Sequence, residues 1–123
     1  MKQTVLITDD DVRNIYALKA VLLLKGYNVL IAGDGRECLS ILEKHNDVDV
    51  VLMDMMMPEM DGYEAIAALR KQEKYRNLPI IAVTAQAMTG DREKCLAAGA
   101  NDYLPKPIDD VKLIELLNKY KTR

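Results

Sequence analysis

Along the chain, short unbroken apolar runs alternate with longer stretches in which apolar residues recur every three or four positions. Thr4-Val5-Leu6-Ile7-Thr8, Tyr27 to Ala32, Val50 to Met53, Leu78 to Thr84 and Asn101 to Pro105 are of the first kind. Runs of this length bounded by turn signals predict strands, the most apolar of them buried on both faces as in a parallel sheet. The second kind predicts helices. Val12, Ile15, Leu18 and Leu22 lead up to Gly26, and Cys38, Leu39, Ile41 and Leu42 follow the turn Gly33-Asp34-Gly35. Ala65, Ile66 and Leu69 share a face within Tyr63 to Glu73, Met88 to Ala98 is stopped by Gly99, and Leu113, Ile114 and Leu117 point inward within Asp109 to Tyr120. Asp11 suits the cap of the first helix and Gly26 its stop, while Asp109 or Asp110 favours the dipole of the last. Five strands alternating with five helices predict a doubly wound α/β fold with right-handed crossovers and helices on both faces of a parallel sheet.

Composition narrows the function classes. The 123 residues make one domain, 1–123, able to bury about two thirds of its unfolded surface without disulfides or metal staples. Half the residues are hydrophobic and 29% are charged, so the chain is an ordinary globular one, with a core built from aliphatic residues because Phe and Trp are absent. A formal net charge of −2 offers no footprint for nucleic acid or an anionic membrane. Cys38 and Cys95 lie in helical stretches with no CxxC or histidine pattern near them, which predicts buried or half-buried thiols in a reducing cytosol. His45, the sole histidine, falls at a polar helix end. With no apolar leader and no run near the ~20 apolar residues of a membrane span, a cytoplasmic location is expected.

The chemistry gathers where the strands end. In a parallel sheet every carboxyl end lies on one edge, the edge where open α/β sheets bind their ligands. Asp9 and Asp10 follow the first strand, Asp54 closes the third, Thr84 the fourth, and Lys106 follows the fifth. Three carboxylates brought together repel one another, a strain that a divalent cation relieves. Hard oxygen ligands suit Mg²⁺, which is usually completed by a phosphate. Lys106 and Thr84 suit phosphoryl oxygens, and a carboxylate can itself act as a nucleophile and form an acyl phosphate. The set therefore predicts metal-assisted phosphorylation of an Asp.

With these residues in view, the chain resembles the receiver domain of two-component response regulators over essentially its whole length. The resemblance rests on Asp9-Asp10, on Asp54 in Leu-Met-Asp-Met-Met-Met-Pro-Glu-Met-Asp-Gly, on Thr84-Ala85 and on Lys106-Pro107. It implies a flavodoxin-like sheet of order 2-1-3-4-5. It also implies that Asp54 accepts a phosphoryl group from the phosphohistidine of a histidine kinase or phosphotransfer protein. Asp10, Asp54 and the backbone carbonyl of Met56 would bind Mg²⁺, with Asp9 acting mainly through water, while Lys106, Thr84 and Ala85 hold phosphoryl oxygens. The Lys106-Pro107 bond is expected to be cis. Tyr103 matches the switch aromatic that moves inward as Thr84 shifts toward the phosphate, and the readout surface would be the fourth helix, fifth strand and fifth helix. Met56 and Gln86 fall at the positions that tune phosphoryl lifetime. Met56 cannot orient an attacking water through a hydrogen bond, whereas the Gln86 amide has the groups to do so; on balance slow self-dephosphorylation is expected. Asp10-Asp11-Val12-Arg13-Asn14 and Gly90-Asp91-Arg92-Glu93-Lys94-Cys95 look more like receivers of hybrid sensor kinases than like those joined to DNA-binding domains.

The expectation is thus a phosphorylated signalling switch and not an enzyme with an external substrate, either free-standing or part of a larger protein, monomeric or weakly dimeric on phosphorylation. Two other readings compete. Asp9-Asp10-Asp11-Val12 also fits the DxDx[TV] motif of haloacid-dehalogenase-like phosphatases, in which Asp9 would be phosphorylated, although Asp109-Asp110 answers poorly for the later acidic pair. A receiver-like module that binds partners without phosphorylation is the third.

Overall fold

β1 (Thr4–Thr8) is apolar at its three central positions and β3 (Val50–Asp54) and β4 (Ile80–Thr84) at four of five, so neither face of their pleat favours water, and all three are buried along their whole length. β2 (Asn28–Ala32) and β5 (Asp102–Pro105) are only partly buried and form the edges of the sheet. The structure, a computed structural model, describes residues 2–85 and 90–120. All pairings are parallel, in the order β2-β1-β3-β4-β5. The order reverses direction between β1 and β3, and the crevice outside the carboxyl ends of the strands opens at that switch point.

Side-chain alternation along the strands divides the core in two. Leu6, Val51, Met53, Ile80 and Ala82 face α2 (Gly35–Lys44), α3 (Gly62–Arg70) and α4 (Asp91–Ala98), where they pack with Cys38, Leu42, Ile66, Leu69 and Cys95. Val5, Ile7, Leu52, Ile81 and Val83 face α1 (Val12–Leu24) and α5 (Asp110–Lys119), packing with Leu18, Leu22, Leu113 and Leu117. Both cysteines are free and buried, as their setting in the sequence predicts. His45 is the exposed residue that ends α2. No helix among the described residues is long and apolar enough to cross a membrane.

Aspartates cap four of the five α-helices among the described residues. Asp11 accepts from the Arg13 N–H, Asp34 from that of Glu37 and Asp109 from that of Val111, while Asp61 and Glu64 form a reciprocal capping box. Asp109 is therefore the cap of the last helix and Asp110 its first residue. Gly99 ends α4 in the left-handed region at φ 119°, where a side chain would be strained. The part of the fourth helix expected from Met88 to Thr89 lies outside the described residues.

The third helix stops at Arg70 rather than at Glu73, and a 3₁₀ turn at Glu73–Tyr75 follows it. Arg70 explains the early stop. Its guanidinium donates to the carbonyls of Tyr75, Arg76 and Leu78 (2.6, 3.2 and 2.9 Å), which a continuing helix would have carried away from it. It also donates to the Gly99 carbonyl (3.0 and 2.8 Å) and to Asn101 Oδ1 at 2.9 Å, an oxygen that accepts the Ile80 N–H as well. One side chain thereby ties the end of α3 to the entry of β4 and to the loop before β5. Arg70→Met should destabilise the fold by about 2–3 kcal/mol, since it strips donors from several part-buried carbonyls at once. Urea unfolding checks this, with an unchanged midpoint as the contrary result.

Candidate functional site

Asp54 is the last residue of β3 and is only 3% exposed. A carboxylate there is costly unless partnered. Its Oδ1 accepts the Met56 N–H at 3.1 Å, and Lys106 Nζ stands 3.5 Å from its Oδ2. Burial nevertheless pushes its pKa up to about 6 from an ordinary 3.8, with the neighbouring Asp9 charge adding to the rise and the Met56 N–H and Lys106 opposing it.

Asp9 and Asp10 follow β1, which lies beside β3 in the sheet. Asp9 is buried and Asp10 exposed. Carboxylate oxygens of Asp9, Asp10 and Asp54 all lie within 4.8 Å of one another. Lys106 follows β5; its backbone N–H donates to the Thr84 carbonyl at 2.8 Å, and its Nζ lies 3.5 Å from Asp9 Oδ2 as well as from Asp54 Oδ2. The Lys106-Pro107 bond is cis, as the resemblance implies. Thr84 closes β4 and is buried, with Ala85 exposed beside it. Four strand ends thus bring five of the expected residues to one edge. Three carboxylates against one ammonium leave an excess of negative charge on hard oxygen donors, which fits a Mg²⁺-type cation.

The loop after β3 is built for close approach. A Cβ on Gly62 would lie 2.6 Å from the Asp54 carbonyl oxygen and 2.7 Å from Met55 Cα, so α3 can start this close to Asp54 only with glycine there. Within the loop Glu59 has φ 63°, the sole non-glycine residue with positive φ among those described. The Met56 side chain is 52% exposed. Tyr103 on β5 is half-buried, and its phenol pKa is raised first by burial and then by the Asp91 and Cys95 charges. Gln86 lies outside the described residues.

Asp109 and Asp110 stand at the α5 N-terminus as a helix start and do not join the acidic cluster. Among the described residues the phosphatase reading therefore finds no second acidic pair at the site. Asn14, which the sequence marks only as the end of the Asp10-Asp11-Val12-Arg13-Asn14 segment, also belongs to the site. Asn14 donates its side-chain amide to Asp9 Oδ2, while the Asp11 N–H donates to Asp9 Oδ1 at 2.8 Å. The spacing held the signal: a residue in the first turn of a helix leans toward the helix N-terminus, here toward the acidic corner.

The model of the response regulator receiver domain family matches residues 5–118. The polar-differentiation response regulator DivK of Brucella ovis is 34% identical over 98% of this chain and 97% of that protein. A hybrid signal transduction histidine kinase of Dictyostelium discoideum is 39% identical over 94% of this chain, which spans 7% of the kinase's length. Among solved structures, the receiver domain of a sensor histidine kinase from Pseudomonas aeruginosa aligns with a TM-score of 0.89 and 40% identity over 98% of each chain. That structure holds a magnesium ion coordinated in its active-site cleft.

Proposed function

The chain belongs to the response regulator receiver domain family, and from that premise we propose that it is a phosphorylated switch whose acceptor is Asp54, loaded from a phosphohistidine. The observation that carries this reading is the buried Asp54 carboxylate, within 4.8 Å of Asp9 and Asp10 oxygens and 3.5 Å from Lys106. An Asp54 oxygen attacks phosphorus as the donor's P–N bond breaks. The electron pair of that bond returns to the imidazole nitrogen, which takes up a proton, and the product is an acyl phosphate. The Lys106 ammonium moves from the Asp54 carboxylate to a phosphoryl oxygen, and the Thr84 hydroxyl and Ala85 backbone hold the others. Asp10, Asp54 and the Met56 carbonyl would hold Mg²⁺, which when bound neutralises phosphoryl charge. Asp9 acts on the ion through water, in keeping with the hydrogen bonds that already occupy both of its oxygens.

Loss of the Lys106–Asp54 contact on phosphorylation draws Thr84 toward the phosphoryl group and Tyr103 inward. The face formed by α4, β5 and α5 is then the readout surface, for an effector or a second copy of the chain. On this reading the chain catalyses only its own phosphorylation and dephosphorylation, in the cytoplasm, and slow loss of the phosphoryl group follows from the exposed Met56 thioether, a poor partner for an attacking water.

The test is incubation with acetyl phosphate and Mg²⁺, borohydride trapping of the acyl phosphate and peptide mapping. A mark on Asp54 is expected. A mark on Asp9 would favour the phosphatase chemistry instead, and no mark at all would leave a binding module that works without phosphorylation.

A further inference from the structure

The start of α1 departs from the usual arrangement of a helix N-terminus in a way that involves Asp9. In a capping box, the residue three beyond the cap turns its side chain back and accepts the N–H of the cap residue, as Glu64 does for Asp61. At α1 the cap is Asp11 and the third residue is Asn14, yet the Asp11 N–H goes to Asp9 Oδ1. Asn14 reaches past the cap and donates to Asp9 Oδ2. The helix is therefore fastened to a carboxylate of the acidic cluster.

Asp9 Oδ2 is also the oxygen that stands 3.5 Å from Lys106 Nζ, the same distance that separates Nζ from Asp54 Oδ2. One ammonium is shared evenly between two carboxylates. We propose that Asn14 is a positioning residue of the site: by anchoring Asp9 Oδ2 and satisfying part of its hydrogen-bonding capacity, it keeps Lys106 from being captured by Asp9 and available to Asp54. An amide does this without adding charge to a cluster that must take a cation. An acidic residue at the same place would repel Asp9, and an apolar one would leave Asp9 Oδ2 to draw Lys106 closer.

The inference rests on the phosphoacceptor reading of Asp54, and two readouts on the intact chain separate them. Asn14→Leu should slow acetyl phosphate labelling at saturating Mg²⁺ by about tenfold, the scale expected when a charged group sits slightly out of place. Its Mg²⁺ dissociation constant should change by less than about threefold, because no charge is altered. Asn14→Gln, which restores an amide donor, should recover most of the rate. In the metal-free protein, the ¹H–¹⁵N signal of the Lys106 ammonium, assigned by its loss in Lys106→Met, should move in Asn14→Leu and return in Asn14→Gln. A Lys106 signal that stays put in Asn14→Leu overturns the proposal, as does an Asn14→Gln protein as slow as Asn14→Leu. If the unsubstituted chain is not labelled, the phosphoacceptor reading fails, while the Lys106 signal still reports whether Asn14 sets the position of that ammonium.

Discussion

Asp54→Asn should abolish labelling by a phosphoryl donor and, in the absence of metal, raise the melting temperature near neutral pH. The first effect follows from loss of the nucleophilic oxygen that no neighbour replaces, Asp9 being held by Asn14, the Asp11 N–H and Lys106. The second follows from where the carboxylate lies. Burial at the end of β3 raises its pKa to about 6, above the ordinary value that it regains on unfolding. Between those values the folded state binds more protons than the unfolded state, so stability falls as pH rises. The contribution is fully present below about pH 4 and is lost as pH passes through about 6. For a rise from 3.8 to about 6 its size is roughly 3 kcal/mol before solvent screening reduces it. Asp54→Asn removes this dependence, so melts of the two proteins in chelator should diverge between pH 4.5 and pH 7.5, with the variant the more stable at the higher pH. Added Mg²⁺ should raise the melting temperature of the unsubstituted chain at pH 7.5, as a ligand of the folded state does, and leave the variant largely unmoved. Normal labelling of Asp54→Asn would overturn the site assignment, and an identical pH slope would show that the raised carboxyl belongs to another residue.

The same buried carboxylate shows how much was legible in the sequence. A parallel sheet collects the ends of its strands on one edge, so the apolar runs that end at Asp9, Asp54, Thr84 and Lys106 were enough to predict that these residues converge. The order of the strands was not contained in that pattern. It came from the resemblance to receiver domains, and the order β2-β1-β3-β4-β5 agrees. Element ends were less legible because side chains far along the chain set them. Arg70 ends α3 by capturing carbonyls from the following turn, and the same guanidinium holds the Leu78 carbonyl just ahead of β4. The contact that Asn14 makes with Asp9 was illegible for a related reason. On a helix pattern Asn14 is one more polar position, and its meaning depends on Asp9, five residues back, turning its carboxylate toward the first turn of α1.

Lys106→Met should separate cation binding from phosphoryl transfer by moving them in opposite directions. The substitution keeps the length of the side chain and removes the positive charge that lies 3.5 Å from Asp9 and Asp54. A cation entering the cluster no longer meets that like charge, so Mg²⁺ should bind several-fold more tightly, by about 1 kcal/mol for a partly screened pair. Phosphoryl transfer should slow by about a hundredfold, the usual loss when one preorganised donor to a developing charge is removed. The backbone N–H of residue 106 still meets the Thr84 carbonyl, so the strand end itself should stay in place. Because Lys106 is among the groups that lower the Asp54 pKa, its loss should shift the fall in metal-free stability to higher pH. Calorimetric titration with Mg²⁺ and labelling rates at saturating Mg²⁺ provide the comparison. Weaker Mg²⁺ binding in Lys106→Met would mean that the ammonium organises the carboxylates for the ion rather than competing with it, and an unchanged labelling rate would remove Lys106 from the transfer step.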